Sequence, residues 1–425
     1  MAAKLIRQPD QLALVGAPTS AAAAAAGVER GPAALRAAGV VERLSAAGFQ
    51  VADVGDPPPA LFQEDPENPR ARNLGAVLPV LDALRARVEQ AVRTHALPIV
   101  LGGDATVALA LVAGLRRQVP SIALIHFGRR ADLRTPTRTD DGLLESMTVS
   151  HLVGQGAAEM VRFWRDPPLV REPDLVLFGL EQPDEIDAER LGHLAVRSVT
   201  LTKIRDLGAT AAAEGSLEVL RAAQRDFVVH LGWEVFSSDE MPGCRGGLAG
   251  GLSIAEVCAA LDRFAAQPRF AGLSISGYDP ALDSEGRGAR AAVELLAGAF
   301  AARHAALLQP TTAGPSTPSA ETSEPAPEPR QEPPVAESAD GTAEHGESEP
   351  PAPPGGVAEP APLAAVEPEA ASAPSVPEGS EMTAAPSQSS ASESLASPAP
   401  SEPPATPDVV PEVETSSAES DAQKA

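Results

Sequence analysis

Residues 97–106 read LPIVLGGDAT, an uncharged apolar run that ends in two glycines and an aspartate. A short apolar run of this kind is typical of a strand that is buried on both faces of a sheet. Apolar residues with helical spacing follow at once over residues 105–117. Apolar runs of the same kind occur six more times, over residues 11–16, 121–127, 174–179, 196–201, 226–231 and 270–275.

Amphipathic stretches separate these predicted strands. Their apolar residues recur at positions i, i+3 and i+4, which indicates helices with one buried face. Strands that alternate with helices predict an α/β doubly wound domain, in which helices cover both faces of a parallel sheet. In such sheets the functional residues lie in loops that follow the carboxyl ends of the strands. The other predicted helices cover residues 31–47, 77–95, 154–165, 211–223, 253–266 and 288–306.

The composition of the chain changes sharply near residue 308. All ten phenylalanines, both tryptophans and the tyrosine lie before that point. Residues 311–425 hold 21 acidic and 2 basic residues, so they carry −19 of the net charge of −25. A segment so poor in large apolar side chains cannot bury enough surface to offset the entropy lost on ordering it. We therefore expect one folded domain over 1–308 and a disordered acidic tail over 309–425, which is a spacer or binds an unknown partner.

Composition also argues against several classes of function. The chain has no basic, aromatic-rich pattern of the kind that nucleic-acid binding needs. Cys244 and Cys258 lack the spacing of metal ligands or redox pairs, which favours free thiols in a reducing compartment. The first residues, MAAKLIR, lack the apolar core of a signal peptide, and no apolar run reaches membrane-spanning length. We expect a cytoplasmic protein that binds neither nucleic acid nor membranes.

Short motifs follow one another in a fixed order along the predicted domain. They are residues 16–20 (GAPTS), 27–36 (GVERGPAALR), 54–56 (VGD), 73–75 (NLG), 101–106 (LGGDAT), 178–180 (FGL), 201–208 (LTKIRDLG), 250–253 (GGLS), 272–275 (GLSI) and 279–280 (DP). In order and spacing this series resembles the arginase (ureohydrolase) family. The resemblance implies an arginase-like three-layer α/β/α sandwich whose parallel sheet has about eight strands. It also implies a homo-oligomer, usually a trimer or hexamer; a mixed oligomer with an active relative is a further hypothesis.

The resemblance implies a catalytic centre in which two manganese ions activate a water molecule. Such ions need carboxylate and imidazole ligands at the strand ends. Of the six family positions, only Asp132 and Glu234 keep an oxygen ligand, and no Asp-x-His or Asp-x-Asp occurs anywhere in the chain. We therefore expect no resident cofactor, and manganese if any metal is bound. The other four ligand positions fall on Ala105, Gly128, Arg130 and Phe236.

The positions that handle substrate in the family are also altered. Glu145 stands where the resemblance places a proton-shuttling histidine. Asp184 and Asp187 match acids that contact the substrate, although acids at the end of a strand are common and are more often structural. The remaining substrate-contacting positions fall on Arg134, Asp141, Leu143 and Gly277.

Arg130 suggests what replaces the metal. Residues 128, 130 and 132 face the same way if the strand continues, which would place the guanidinium near Asp132 and Glu234. One hypothesis is that Arg130 supplies the countercharge, because an unpaired buried pair of carboxylates would be costly. The alternative is that Arg130 points to solvent from a relaxed loop.

The leading hypothesis is a ureohydrolase-fold protein without hydrolase activity, which has a binding, regulatory or assembly role. The alternative is a manganese-dependent ureohydrolase that acts on a guanidino compound such as arginine or agmatine, or a hydrolase with chemistry rebuilt around Asp132, Glu145 and Glu234. A third hypothesis is that the folded domain mainly displays the acidic tail to a partner.

Overall fold

The computed structural model describes residues 8, 10–163 and 167–308, and the predicted tail over 309–425 lies outside them. Eight strands form one sheet, and every pair of neighbouring strands is parallel. In chain order β1 to β8 are Gln11–Ala17, Gln50–Asp53, Leu97–Gly102, Ala123–Phe127, Leu175–Leu180, Arg197–Thr200, Phe227–Gly232 and Phe270–Ser276. Their order across the sheet is β2-β1-β3-β8-β7-β4-β5-β6.

Helices cover both faces of this sheet. Successive residues of one strand therefore enter different apolar cores: in β4, Ile125 and Phe127 pack on one side and Leu124 on the other. This two-sided burial is what an apolar run without polar alternation predicts. The described residues form helices α1 to α11 over Gly31–Ala37, Val40–Ala46, Leu74–Arg93, Val107–Leu115, Thr148–Leu152, Ala158–Arg162, Glu185–His193, Leu201–Leu207, Ala209–Ala222, Ile254–Ala265 and Arg287–Leu308.

The predicted α/β fold is confirmed, with differences in individual elements. The predicted helix 31–47 is two helices, because Gly39 adopts a left-handed φ of 90° between them. The predicted helix 154–165 is shorter than expected: α5 ends at Leu152, and within the predicted range the structure describes only the short α6 over Ala158–Arg162. The edge strand β2 and the polar helix α7 were not predicted, because neither has a buried apolar pattern.

The last helix, α11, is the longest of the described helices. The prediction that no apolar stretch reaches membrane-spanning length is wrong for α11, which is long and apolar enough by length and composition alone. In this fold α11 packs against α2 and α10. Near its end the buried Arg303 donates hydrogen bonds to the carbonyl oxygens of Ala265 and Gln267. These contacts are those of a core helix.

The strand order determines where polar residues meet. β3, β8, β7 and β4 are consecutive in the sheet, and all are parallel. Their carboxyl ends therefore lie along the same edge, and the loops that follow them converge there. The predicted metal-ligand positions lie just after three of these strands: Ala105 after β3, Gly128, Arg130 and Asp132 after β4, and Glu234 and Phe236 after β7.

Candidate active-site pocket

A cavity of about 200 Å³ lies where these loops converge. Its floor contains charged side chains from the ends of β4 and β7 and from the loop before α5, namely Arg130, Asp132, Glu145 and Glu234. The rest of the lining comes from other loops and is mixed: Arg129, Glu181 and Arg245 are charged, whereas the apolar residues are Ala23, Ala24, Ala25, Val28, Leu143 and Leu248. The cavity thus combines a charged floor with sides of mixed polarity.

Asp104 organises the loop at the end of β3. Its side chain is fully buried and accepts hydrogen bonds from Thr19 Oγ1 at 2.9 Å, the Ala22 amide at 3.2 Å and the Thr106 amide at 3.1 Å. Burial raises the pKa of this carboxyl despite these donors. Asp104 therefore holds the alanine-rich loop 21–26, which follows β1, against the end of β3. The next residue, Ala105, lines the cavity with only a methyl group.

Asp132 and Arg130 form an ion pair on the cavity floor. Arg130 Nε lies 3.5 Å from Asp132 Oδ1, and His126 Nε2 lies 3.6 Å from Asp132 Oδ2. Burial favours a raised pKa for Asp132, but His126 and Arg130 outweigh it and hold the pKa below its usual value. Asp132, above all, raises the pKa of Arg130. The structure therefore places Arg130 beside Asp132, as the countercharge hypothesis requires.

Glu234 follows β7 and reaches under the end of β4. A Cβ atom added to Gly128 would lie 2.9 Å from Glu234 Oε1 and 3.1 Å from His126 Nε2, so these two side chains converge on the space beside Gly128. Burial raises the pKa of Glu234; Arg130 opposes this shift, and Asp132 adds to it.

Phe236, two residues after Glu234, belongs to the core. It is 2% exposed, and its ring centroid lies 6.1 Å from that of Trp233. Its backbone pairs with Leu252 in an isolated parallel bridge. A large apolar ring therefore fills this position and does not line the cavity.

Glu145 approaches the floor from a short 3-10 turn, Glu145–Met147. Burial raises its pKa from the usual 4.5 to about 8; Arg130 opposes the shift, and Asp104 and Asp132 strengthen it. A carboxyl group in this position is protonated at neutral pH and can donate a hydrogen bond. It does not provide the imidazole that the family resemblance leads one to expect there.

Arg129 and Arg134 pair with further acids at the rim. The buried Arg129 binds both carboxylate oxygens of Glu181 and donates a hydrogen bond to the Leu248 carbonyl at 2.7 Å. The sequence did not indicate this pair, because Arg129 and Glu181 lie 52 residues apart in the chain. Arg134 pairs with Asp184, and its Nε lies 3.9 Å from Asp187 Oδ1.

The two predicted substrate-contacting acids thus lie beside an arginine and do not line the cavity. Asp184 also caps α7 by accepting a hydrogen bond from the Asp187 amide at 3.0 Å. Burial, reinforced by Asp184, raises the pKa of Asp187 to about 6. A role of these acids in binding a ligand remains a prediction.

Two stacked histidines support the floor from below. The rings of His126 and His230 are 4.9 Å apart and nearly parallel. His230 bonds to the hydroxyls of Ser274 at 2.9 Å and Ser276 at 3.2 Å, whereas neither ring nitrogen of the buried His126 has a hydrogen-bond partner within the described part of the chain. The cavity floor therefore rests on a buried polar layer between β4, β7 and β8.

Comparison with known proteins places this pocket in context. The model of the arginase family matches residues 10–301. The chain belongs to the arginase family. The arginase of Bacillus caldovelox is 27% identical over 293 residues, which cover 68% of this chain and 97% of that protein. The arginase of Bacillus subtilis (strain 168) is 27% identical over 67% of this chain and 96% of its own length. A solved structure of the Bacillus caldovelox arginase matches with a TM-score of 0.65 and 26% identity, and covers 68% of this chain and 98% of its own.

The donor set does not fit the two manganese ions that the family resemblance implies. Across residues 8, 10–163 and 167–308, no group of three or more His, Cys, Asp and Glu side chains is arranged to hold a metal ion. Asp132 and Glu234 offer oxygen atoms, but the guanidinium of Arg130 already lies beside Asp132. A hard divalent ion needs more oxygen or imidazole ligands than these two residues supply.

Arg130→Ala tests whether the guanidinium stabilises the buried carboxylate. We expect the free energy of unfolding to fall by about 1–2 kcal/mol, less than for a fully buried pair, because the Arg130 side chain is 60% exposed. The measurement is chemical denaturation at neutral pH. The exposed arginine of α11 provides a matched control, since Arg290→Ala should change stability by less than ~0.5 kcal/mol. Equal stability of Arg130→Ala and the wild type would show that Arg130 is not the countercharge.

The raised pKa of Glu145 predicts a pH dependence of stability. Between its usual pKa of 4.5 and its folded pKa of about 8, Glu145 is protonated in the folded state and ionised in the unfolded state. The stabilisation that comes from protonated Glu145 in the folded state is therefore fully present below pH 4.5, decreases as the pH rises above 4.5, and is lost as the pH passes 8. Glu145→Gln removes this proton uptake, while Asp187 titrates equally in both proteins.

The measurement is the melting temperature of both proteins across this pH range. We expect the wild type to lose stability relative to Glu145→Gln as the pH rises. A difference between the two proteins that does not vary with pH would contradict the raised pKa.

Proposed function

We propose that this arginase-family chain does not perform hydrolysis with two manganese ions and instead has a binding, regulatory or assembly role. The observation that carries the proposal is the guanidinium of Arg130 beside Asp132. A cation of the chain itself thus lies at the carboxylate that the resemblance assigns to a metal. We take this pairing as the reason why the pocket keeps acidic side chains without a metal.

Electrostatics opposes an ion at this point. Arg130 Nε is 3.5 Å from Asp132 Oδ1, so a divalent ion bound to Asp132 would lie only a few ångströms from a fixed positive charge. At such distances, two like charges repel each other by about 4 kcal/mol per pair of unit charges in the partly screened environment near a protein surface. An ion would therefore have to displace Arg130 before it could bind.

The missing ligands also cannot be recovered by a change of rotamer. Ala105 and Gly128 have no side-chain donor at all. Phe236 has no ligand atom either, and its ring is packed in the buried core next to Trp233. A ligand residue at this position would disturb that packing. Activation of water by a metal needs ions held by several fixed ligands, and these positions provide none.

What the chain keeps is a cavity on the arginase fold, and this favours a role based on binding. We propose that the chain acts in the cytoplasm as a homo-oligomer or in a mixed oligomer with an active relative. A trimer or hexamer would follow from the family resemblance alone.

The test is a measurement of metal content and turnover on the full chain. After incubation with manganese and desalting, we expect well under one equivalent of bound manganese by elemental analysis. We also expect no release of urea from arginine or agmatine, while the Bacillus caldovelox arginase, assayed in parallel, serves as the positive control. Two equivalents of manganese together with turnover would overturn the proposal.

A further inference from the structure

A second cavity, of about 320 Å³, lies at the opposite end of the sheet from the candidate active-site pocket. It is at the amino ends of β7 and β8, where Phe227 begins β7 and Arg269 immediately precedes β8. The last turns of α9 form its other side. The two cavities have no described lining residue in common, so they are separate sites.

Three arginines line this second cavity, and none of its described lining residues is acidic. Arg221 lies in the last turn of α9, Arg225 shortly before β7 and Arg269 just before β8. The chain as a whole carries a net charge of −25, so a lining whose only charges are positive runs against the charge of the molecule. Such a lining, called the arginine cavity below, favours an anionic ligand.

The acids around the arginine cavity do not balance the arginines. In the described part of the chain, five arginines at this end of the sheet form ion pairs with only three acids. The pairs are Arg171 and Arg225 with Asp174, Arg221 and Arg263 with Glu214, and Arg269 with Asp226. These pairs leave two positive charges over, which matches the charge of about −2 on a phosphate monoester near neutral pH.

Arg269 has donors that the described chain does not use. Its backbone is fixed, because its carbonyl accepts a hydrogen bond from the Phe227 amide at 3.0 Å. Its Nη1 is buried without a hydrogen-bond partner among the described residues and lies 3.9 Å from Asp226 Oδ1. Arg225, beside it, is held by Ser121 Oγ, which accepts a hydrogen bond from Nη1 at 2.7 Å. A bound anion would satisfy the buried donor of Arg269, which is costly to leave unpaired.

The floor of the arginine cavity is apolar. It consists of Leu217 and Leu220 from α9 and Phe227 from β7, each at most 2% exposed. Ligand sites of this size combine apolar surface with a few polar groups that fix orientation. A bare anion would leave this surface unused, so the ligand is expected to carry an apolar body.

The number of guanidinium groups indicates the kind of anion. A carboxylate has two oxygens and one charge, and a single guanidinium can satisfy it with two parallel hydrogen bonds. A phosphate monoester has three terminal oxygens and nearly two charges, so several guanidinium groups can bind it at once. Three arginines from separate elements around one cavity match phosphate better than carboxylate.

We infer that the arginine cavity binds a small phosphate monoester with an apolar body. The phosphate pairs with Arg225 and Arg269, with Arg221 at the edge, and the body packs against the two leucines and Phe227. The inference goes beyond the proposed function and does not depend on it, because the site lies outside the candidate active-site pocket.

Isothermal titration calorimetry of the full chain near neutral pH tests the inference with phenyl phosphate as the probe. Two analogues separate the parts of the ligand: inorganic phosphate lacks the apolar body, and benzoate replaces the phosphate by a carboxylate. We expect phenyl phosphate to bind and each analogue to bind at least about tenfold more weakly, since each loses apolar contacts or charge-assisted hydrogen bonds.

Variants of one arginine locate the binding site. Arg269→Gln should weaken the binding of phenyl phosphate at least about tenfold, and its melting curve checks that it is folded. Arg269→Lys, which keeps the charge but not the planar fork, should also weaken binding and provides a second variant if Arg269→Gln does not fold. Arg290→Gln on α11 makes the same charge change outside the arginine cavity and should leave the affinity within about twofold of the wild type.

Three outcomes would overturn the inference. Phenyl phosphate could produce no binding heat at millimolar concentration, or benzoate or inorganic phosphate could bind as tightly as it does. Folded Arg269 variants could also bind it as tightly as the wild type, which would place the ligand elsewhere. None of these measurements involves manganese or the release of urea. Failure of this inference and failure of the proposed function are therefore told apart.

Discussion

The ion pair between Arg130 and Asp132 is the contact on which the pocket depends. Asp132 is 3% exposed, and a carboxylate buried this deeply needs a cation or several donors to remain charged. Its backbone is fixed as well: it adopts a left-handed φ of 49°, and its carbonyl accepts a hydrogen bond from the Val149 amide at 3.1 Å. Because the backbone of Asp132 is fixed, the pair can form only if the side chain of Arg130 extends toward the carboxylate. The guanidinium then determines which charges the rest of the floor presents.

The fold explains why so many charges meet at this point. β4 and β7 are neighbours in a parallel sheet, so the residues that follow them lie side by side. The loop after β4 contributes four arginines, and each of them pairs with an acid. The pair of Arg138 and Glu189 lies on the surface. Arg129 pairs with Glu181 and Arg134 with Asp184, in addition to the pair on the floor. Acidic residues at strand ends suit a metal centre, but here arginines of the same chain balance their negative charge.

The sequence predicted those parts of the structure whose signals are local. Central strands are uniformly apolar and were predicted, whereas β2 lies at an edge with its residues largely exposed and has no such pattern. The sequence predicted the proximity of Arg130 to Asp132 from a strand continuing through both residues, but β4 ends at Phe127, and a loop with a left-handed Asp132 brings the two side chains together. The pair of Arg129 and Glu181 could not be predicted, because it depends on how two loops 52 residues apart pack together. Nor does spacing indicate that Phe236 turns into the core.

A double-mutant cycle tests the central claim most directly, because it isolates the interaction between Arg130 and Asp132 from the effects of each substitution alone. The free energy of unfolding would be measured for Arg130→Met, Asp132→Asn and the double variant. The account predicts that the two single effects are not additive and that the coupling energy is about 1–3 kcal/mol in favour of the pair. Additivity within about 0.5 kcal/mol would show that the guanidinium does not stabilise the buried carboxylate and would contradict the account.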